Sequence, residues 1–137
     1  MFASKNQLRV RAVMGKIVLI ADDNHRVRRA LRNLLTHELN VEVYEARHGK
    51  EVVQKALELQ PDVIVLDVSM PLMNGLEAAR AIKRTLPAVP LIMYSMFVDE
   101  LARQEAQSLG ISELVSKSEH ASVLIQKLRH FLYPTAA

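Results

Sequence analysis

Lys16-Ile17-Val18-Leu19-Ile20-Ala21-Asp22-Asp23 and Val63-Ile64-Val65-Leu66-Asp67 decide how this chain folds. Each is a strand-length apolar run that ends abruptly in acid. If the two strands are parallel neighbours, Asp22, Asp23 and Asp67 converge at one edge of the sheet, where ligands of open α/β sheets bind. Three negative charges crowded there repel by several kcal/mol at an effective dielectric of ~20, so something positive must complete the site. Hard oxygen ligands at this density suit Mg²⁺, with a lysine as a second counter-charge.

Outward from these runs, strand and helix patterns alternate with few residues to spare. Val41-Glu42-Val43-Tyr44-Glu45-Ala46 alternates and reads as an outer strand, while Leu91-Ile92-Met93-Tyr94 and Leu114-Val115-Ser116 are later short strands. Val27, Leu31, Leu34 and Leu35 recur at helical steps between the first two strands, and Val52, Val53, Ala56 and Leu57 do so after the second. Three more helical patterns follow, around Leu76 to Ile82, Leu101 to Leu109 and Val123 to Leu132. Pro61 precedes the third strand, Pro87 and Pro90 bracket the entrance to the fourth, and Gly110 ends the fourth helix. Five strands alternating with five helices predict a three-layer α/β sandwich around a central, mostly parallel five-stranded sheet.

The composition bounds the chemistry. A chain of 137 residues suits one compact domain. It has no cysteine, which excludes disulfides, zinc-cysteine sites and thiol catalysis and fits a reducing cytoplasm. No apolar stretch approaches the roughly 18 residues of a membrane span. The basic balance is local: Lys5, Arg9, Arg11 and Lys16 face no acid in the first 16 residues, and the remainder carries 14 basic against 15 acidic side chains. Residues 1–15 therefore read as a basic, flexible tail, residues 16–134 as the folded domain and residues 135–137 as a frayed end. Direct nucleic-acid binding is not expected. The five histidines, His25, His37, His48, His120 and His130, lack metal-ligand spacing and read as solvated or capping residues. Arg26, Arg28, Arg29 and Arg32 make the first helix basic, which reads as a solvated face, one side of which could dock a partner.

Four separated elements now fall into one order: Asp22-Asp23, Asp67 followed by Val68-Ser69-Met70-Pro71-Leu72-Met73-Asn74-Gly75-Leu76-Glu77, Ser95 after its strand, and Lys117 after the last. In this the chain resembles the receiver domain of bacterial two-component response regulators, over about residues 16 to 132. The resemblance implies a flavodoxin-like (βα)5 fold and transfer of a phosphoryl group from a phosphohistidine to an aspartate. Carried over residue by residue, it makes Asp67 the phosphoacceptor and Asp22 and Asp23 the holders of Mg²⁺, with Asp67 itself and the Ser69 backbone carbonyl as further ligands. Lys117 would pair with phosphoryl oxygens, and Ser95 would follow them with its hydroxyl. The implied partners are a sensor histidine kinase or histidine phosphotransfer protein and a downstream protein, with a phosphorylation-linked homodimer as a compatible assembly. Such a protein is no conventional enzyme; it catalyses its own phosphorylation and dephosphorylation.

Elementary chemistry agrees. An ionised aspartate can attack phosphorus to form an acyl phosphate when the charges around it are neutralised, and positioning supplies most of the rate without a histidine base. Two departures bear on output. Leu114 stands where many receivers carry an aromatic residue, and Met96 follows Ser95 where a small residue is usual, which predicts narrower access to Asp67, with bulky Phe97 next in line. A receiver-shaped scaffold or dimerisation module that is never phosphorylated is the competing reading. Gly75 and Met70-Pro71 are expected to shape the loop after Asp67 rather than to take part in chemistry.

Overall fold

Alternating burial on each strand sets the layers. In β1 (Lys16–Ala21), Val18 and Ile20 belong to one apolar cluster and Leu19 and Ala21 to another, so consecutive side chains face opposite sides of the sheet. The computed structural model describes residues 15–68, 70, 73–96 and 98–134. Among these, β2 (Val41–Ala46), β3 (Val63–Leu66), β4 (Leu91–Ser95) and β5 (Glu113–Ser116) join β1 in one sheet. The helices are α1 (His25–Glu38), α2 (Gly49–Leu59), α3 (Gly75–Thr85), α4 (Glu100–Ser108) and α5 (Ala121–Leu132).

Every strand pair is parallel and the order is β2-β1-β3-β4-β5, the flavodoxin-like arrangement. The chain steps outward from β1 to β2, then returns across β1 to place β3 on its other side. That reversal opens a crevice between the carboxyl ends of β1 and β3. All four residues of β3 are buried, as expected for a central strand covered on both faces.

Two apolar layers clamp the sheet. On one face Leu31 and Leu35 of α1 and Leu124, Leu128 and Leu132 of α5 pack with Val18, Ile20, Val63 and Val65. On the other, Val52 and Ala56 of α2 and Ala78, Ala79 and Ile82 of α3 pack with Leu19, Ile64, Leu66 and Met93. Polar caps stop the helices unwinding at their amino ends: the Asn24 side chain accepts from Arg26 and Val27 N–H, Asn74 from Glu77, and Asp99 from Ala102. His48 and His120 cap α2 and α5 in the same way.

β2 lies at the edge of the sheet, the outer strand its alternation predicts, with Val41 and Val43 packing toward α1 and α5 and Tyr44 and Ala46 toward the opposite helices. One expectation needs correction: the basic face of α1 is not uniformly solvated, because Arg28 is buried. Its Nε donates to Glu45 Oε1 at 3.1 Å and its Nη1 to the Asp22 carbonyl at 2.8 Å, while Arg32 Nε reaches Glu45 Oε2 at 2.6 Å. The reason is positional. Residues 28 and 32 lie one turn apart on the flank of α1 that overhangs β2, where Glu45 shares a side with Val43.

Burial alone would raise the Glu45 carboxyl pKa, but hydrogen bonds and charge from Arg32 and then Arg28 outweigh it and hold the group below its ordinary value. A depressed carboxylate stabilises the fold above its unfolded pKa, and that contribution is lost as pH falls through the folded value. Glu45→Gln, which leaves the buried Arg28 guanidinium without its carboxylate, is expected to cost about 1–2 kcal/mol near neutral pH. Urea unfolding of wild type and variant should show this gap close as pH falls through and below the lowered folded pKa of Glu45; a gap independent of pH would contradict the pairing.

Candidate functional site

Strand register delivers the acidic groups to one place. Ala21 pairs with Leu66, so Asp22 and Asp67 leave their strands side by side, and Asp67 N–H donates to the Ala21 carbonyl at 2.8 Å. The next residue, Asp23, is exposed. Carboxylate oxygens of Asp22, Asp23 and Asp67 all lie within 4.8 Å of one another. Two unit charges at that distance repel by roughly 3–4 kcal/mol at an effective dielectric of ~20.

Lys117 answers part of that charge. It follows β5, and its N–H donates to the Ser95 carbonyl at 2.8 Å, which ties the lysine to the end of β4. Its Nζ donates to Asp22 Oδ2 at 2.6 Å and lies 3.5 Å from Asp67 Oδ2. Burial alone would lower the Lys117 pKa, but the hydrogen bond and charge of Asp22, joined by the charge of Asp67, raise it above the ordinary value. The ammonium is therefore charged throughout the physiological range. It also stands 5.9 Å from the Tyr94 ring centroid, within cation–π range.

One cation against three carboxylates leaves the cluster negative. The donor set, all hard carboxylate oxygen and open to solvent on the Asp23 side, fits a divalent cation of the Mg²⁺ kind. Ser69, the expected backbone ligand, lies outside the described residues, as do residues 1–14 of the basic tail, Phe97 and the end at 135–137.

Neighbouring groups fix the geometry. Asp22 is held at both oxygens, Oδ1 by Asn24 N–H at 2.8 Å and Oδ2 by Lys117. Its carbonyl is held by Arg28, so the α1 arginine that sequence patterning assigned to solvent braces the first loop. His25 meets Arg28, with its Nδ1 at 3.4 Å from Nη2. Ser95 is buried at the end of β4, where the Leu66–Met93 register puts it one step beyond the level of Asp67. Met96, next after Ser95, is 59% exposed.

Two glycines make the loop after β3 sterically feasible. A Cβ on Gly75 would sit 2.1 Å from the Asp67 carbonyl oxygen, and Gly75 N–H donates to the Val68 carbonyl at 2.8 Å. A Cβ on Gly49, at the start of α2, would lie 2.0 Å from the Met73 carbonyl oxygen. Gly49 went unnoticed in the sequence. Its only signal there is a glycine at the first position of a helix, after the His48 cap.

With this geometry in place, known proteins can be set beside it. Residues 18–129 match the family model described as the response regulator receiver domain. A protein-glutamate methylesterase/protein-glutamine glutaminase of Methanosarcina acetivorans is 39% identical over 122 residues, covering 82% of this chain and 35% of that protein. The transcriptional regulatory protein LnrK of Bacillus subtilis is 36% identical over 111 residues, covering 80% of this chain and 50% of LnrK. The chain thus spans half or less of the length of these relatives. Among solved structures, the response regulator domain of Thermotoga maritima CheB superposes with a TM-score of 0.80 at 30% identity, covering 89% of this chain and 99% of that one.

Gly75→Ala tests the close approach. Because backbone, not a flexible side-chain tip, occupies the space, the variant is expected to lose about 2–3 kcal/mol of stability. Chemical denaturation reads this out, and a loss within about 0.5 kcal/mol would show that the loop relaxes freely.

Proposed function

Because the chain belongs to the response regulator receiver family, we propose that Asp67 is its phosphoacceptor, fed by a histidine kinase or histidine phosphotransfer protein. The observation that carries this reading is the convergence of Asp22, Asp23 and Asp67, with the half-buried Lys117 paired to Asp22 and Asp67. A purely structural acidic cluster would gain nothing from that much repulsion.

In the reaction, an ionised Asp67 oxygen attacks phosphorus of the donor phosphoramidate. The O–P bond forms as the P–N bond breaks, and the departing imidazole keeps the electron pair and takes up a proton. Asp22, Asp23 and Asp67, with the Ser69 carbonyl, would hold Mg²⁺, which supplies charge neutralisation for the phosphoryl oxygens. Lys117 lies closer to Asp22 than to Asp67 before transfer, so it is available to swing its ammonium onto an incoming oxygen while staying tethered through its backbone to β4. Asn24 and Arg28 keep Asp22 in place during that exchange. Ser95 follows the phosphoryl group with its hydroxyl and passes the change to β4. Asp22, braced at both oxygens and at its carbonyl, needs no reorganisation at the moment of transfer.

The phosphoryl group then biases two conformations of the face formed by α4, β5 and α5, a local charge change read at a distance. No described helix is long and apolar enough to cross a membrane, and a cytoplasmic location goes with a kinase-fed role. The relatives are named as a methylesterase and as a transcriptional regulator, and their shared portion is the receiver. The function proposed for this chain is accordingly that of the shared portion: a phosphorylated switch for a downstream protein.

Incubation with Mg²⁺ and a small phosphodonor should give wild type an acid-stable, base-labile mass gain and leave Asp67→Asn unlabelled. Lys117→Ala should label about 10²–10³-fold more slowly. Equal labelling of Asp67→Asn, or none of wild type with small donors and a broad kinase panel, would favour the unphosphorylated scaffold instead.

A further inference from the structure

Beneath α4 lies an apolar cavity of about 70 Å³. Val68, Leu76, Met93 and Leu114 form its floor and walls, and α4 contributes Ala102, Ala106 and the exposed Glu105. The space exists because of side-chain size. Ala106 is the one fully buried residue of α4, so the helix lays methyl groups over the sheet where larger side chains would fill the gap. Leu114 is half-buried at the opposite wall and leaves the remainder open. Unfilled apolar space of this size is uncommon in a close-packed interior.

The rim has a definite chemistry. Leu101 is 64% exposed and stands four residues before Glu105, on the same side of the helix. Asp99, Glu100 and Glu105 face the single base Arg103 between residues 99 and 108. The Glu105 carboxylate makes no ion pair among the described residues. An apolar hole with an exposed leucine and an uncompensated carboxylate beside it matches the pattern of an anchor pocket with a polar rim.

We propose that this cavity is the socket for one aliphatic side chain of the output partner, with a lysine or arginine of the same partner segment meeting Glu105. The volume suits a branched aliphatic side chain, and the acidic rim selects the neighbouring charge. The socket shares its walls with the acidic site: Val68 follows Asp67, Met93 shares a face of β4 with Ser95, and Leu114 precedes Lys117 by three residues. A shift in Ser95 or Lys117 on phosphorylation therefore reaches the socket through strands both share. This inference rests on the proposed phosphoacceptor role and adds the chemistry of the partner.

A random linear peptide library displayed on phage, selected against the full chain treated with Mg²⁺ and beryllofluoride, provides the test. Enriched peptides should carry Leu, Ile or Met beside Lys or Arg, and their affinity should fall about tenfold or more on Ala102→Leu, which fills the socket, and on Glu105→Lys, which reverses the rim charge. Glu105→Lys changes an exposed residue, so it still reports if Ala102→Leu fails to fold. No enrichment, enriched peptides without that pattern, or affinities untouched by Glu105→Lys would overturn the socket. Small-donor labelling of the same proteins separates the two levels: labelled Asp67 with variant-insensitive peptides removes the socket alone, and unlabelled wild type removes the phosphoacceptor reading beneath it.

Discussion

The Lys117 ammonium, shared between Asp22 at 2.6 Å and Asp67 at 3.5 Å, is the contact on which the site depends. It closes a loop of sequence 95 residues long, joining the end of β1 to the end of β5 across the intervening strands. Such a contact needs parallel strands, because β1, β3 and β5 then present their carboxyl ends to one side. Fold and site are thus one constraint. The apolar strands pay for the charge convergence by burying both faces of the sheet, and the lysine limits what that convergence costs.

Support comes from groups that do no chemistry. Arg28 grips the Asp22 carbonyl from α1 and is itself neutralised by Glu45, which also engages Arg32. Gly75 lets α3 begin directly against the Asp67 carbonyl, and Gly49 lets α2 lie against Met73 in the same loop. The site is rigid where Asp22 is braced and open where Asp23 meets solvent. That contrast suits a pocket that must hold a cation in place while admitting a phosphoryl donor.

How much of this was legible in the sequence follows from how local each signal is. Lys16–Ala21 and Val63–Leu66 are short apolar runs with acids at their ends, so strand identity, parallel pairing and the meeting of Asp22, Asp23 and Asp67 could be read directly. Lys117 was legible through its position after the last strand. Its preference for Asp22 over Asp67 was not, since a difference of under an ångström depends on packing. Arg28 was misread because a basic residue on a basic helix looks solvated until Glu45 is known to lie beneath it. The alternation of β2 marked it as an outer strand, and it stands at the sheet edge, with Tyr44 and Ala46 packed on one side and Val41 and Val43 on the other. The cavity under α4 was invisible, being defined by what Ala102, Ala106 and Leu114 fail to fill.

The central claim concerns one side chain, and reductive trapping reads it at residue level. Borohydride reduces an acyl phosphate to an alcohol and leaves free carboxylates untouched, so an aspartyl phosphate becomes homoserine. After treatment with Mg²⁺ and a small phosphodonor, then borohydride, peptide sequencing by mass spectrometry should find homoserine at position 67 and at neither 22 nor 23. Homoserine at position 22 or 23, or at none of the three, would contradict the account.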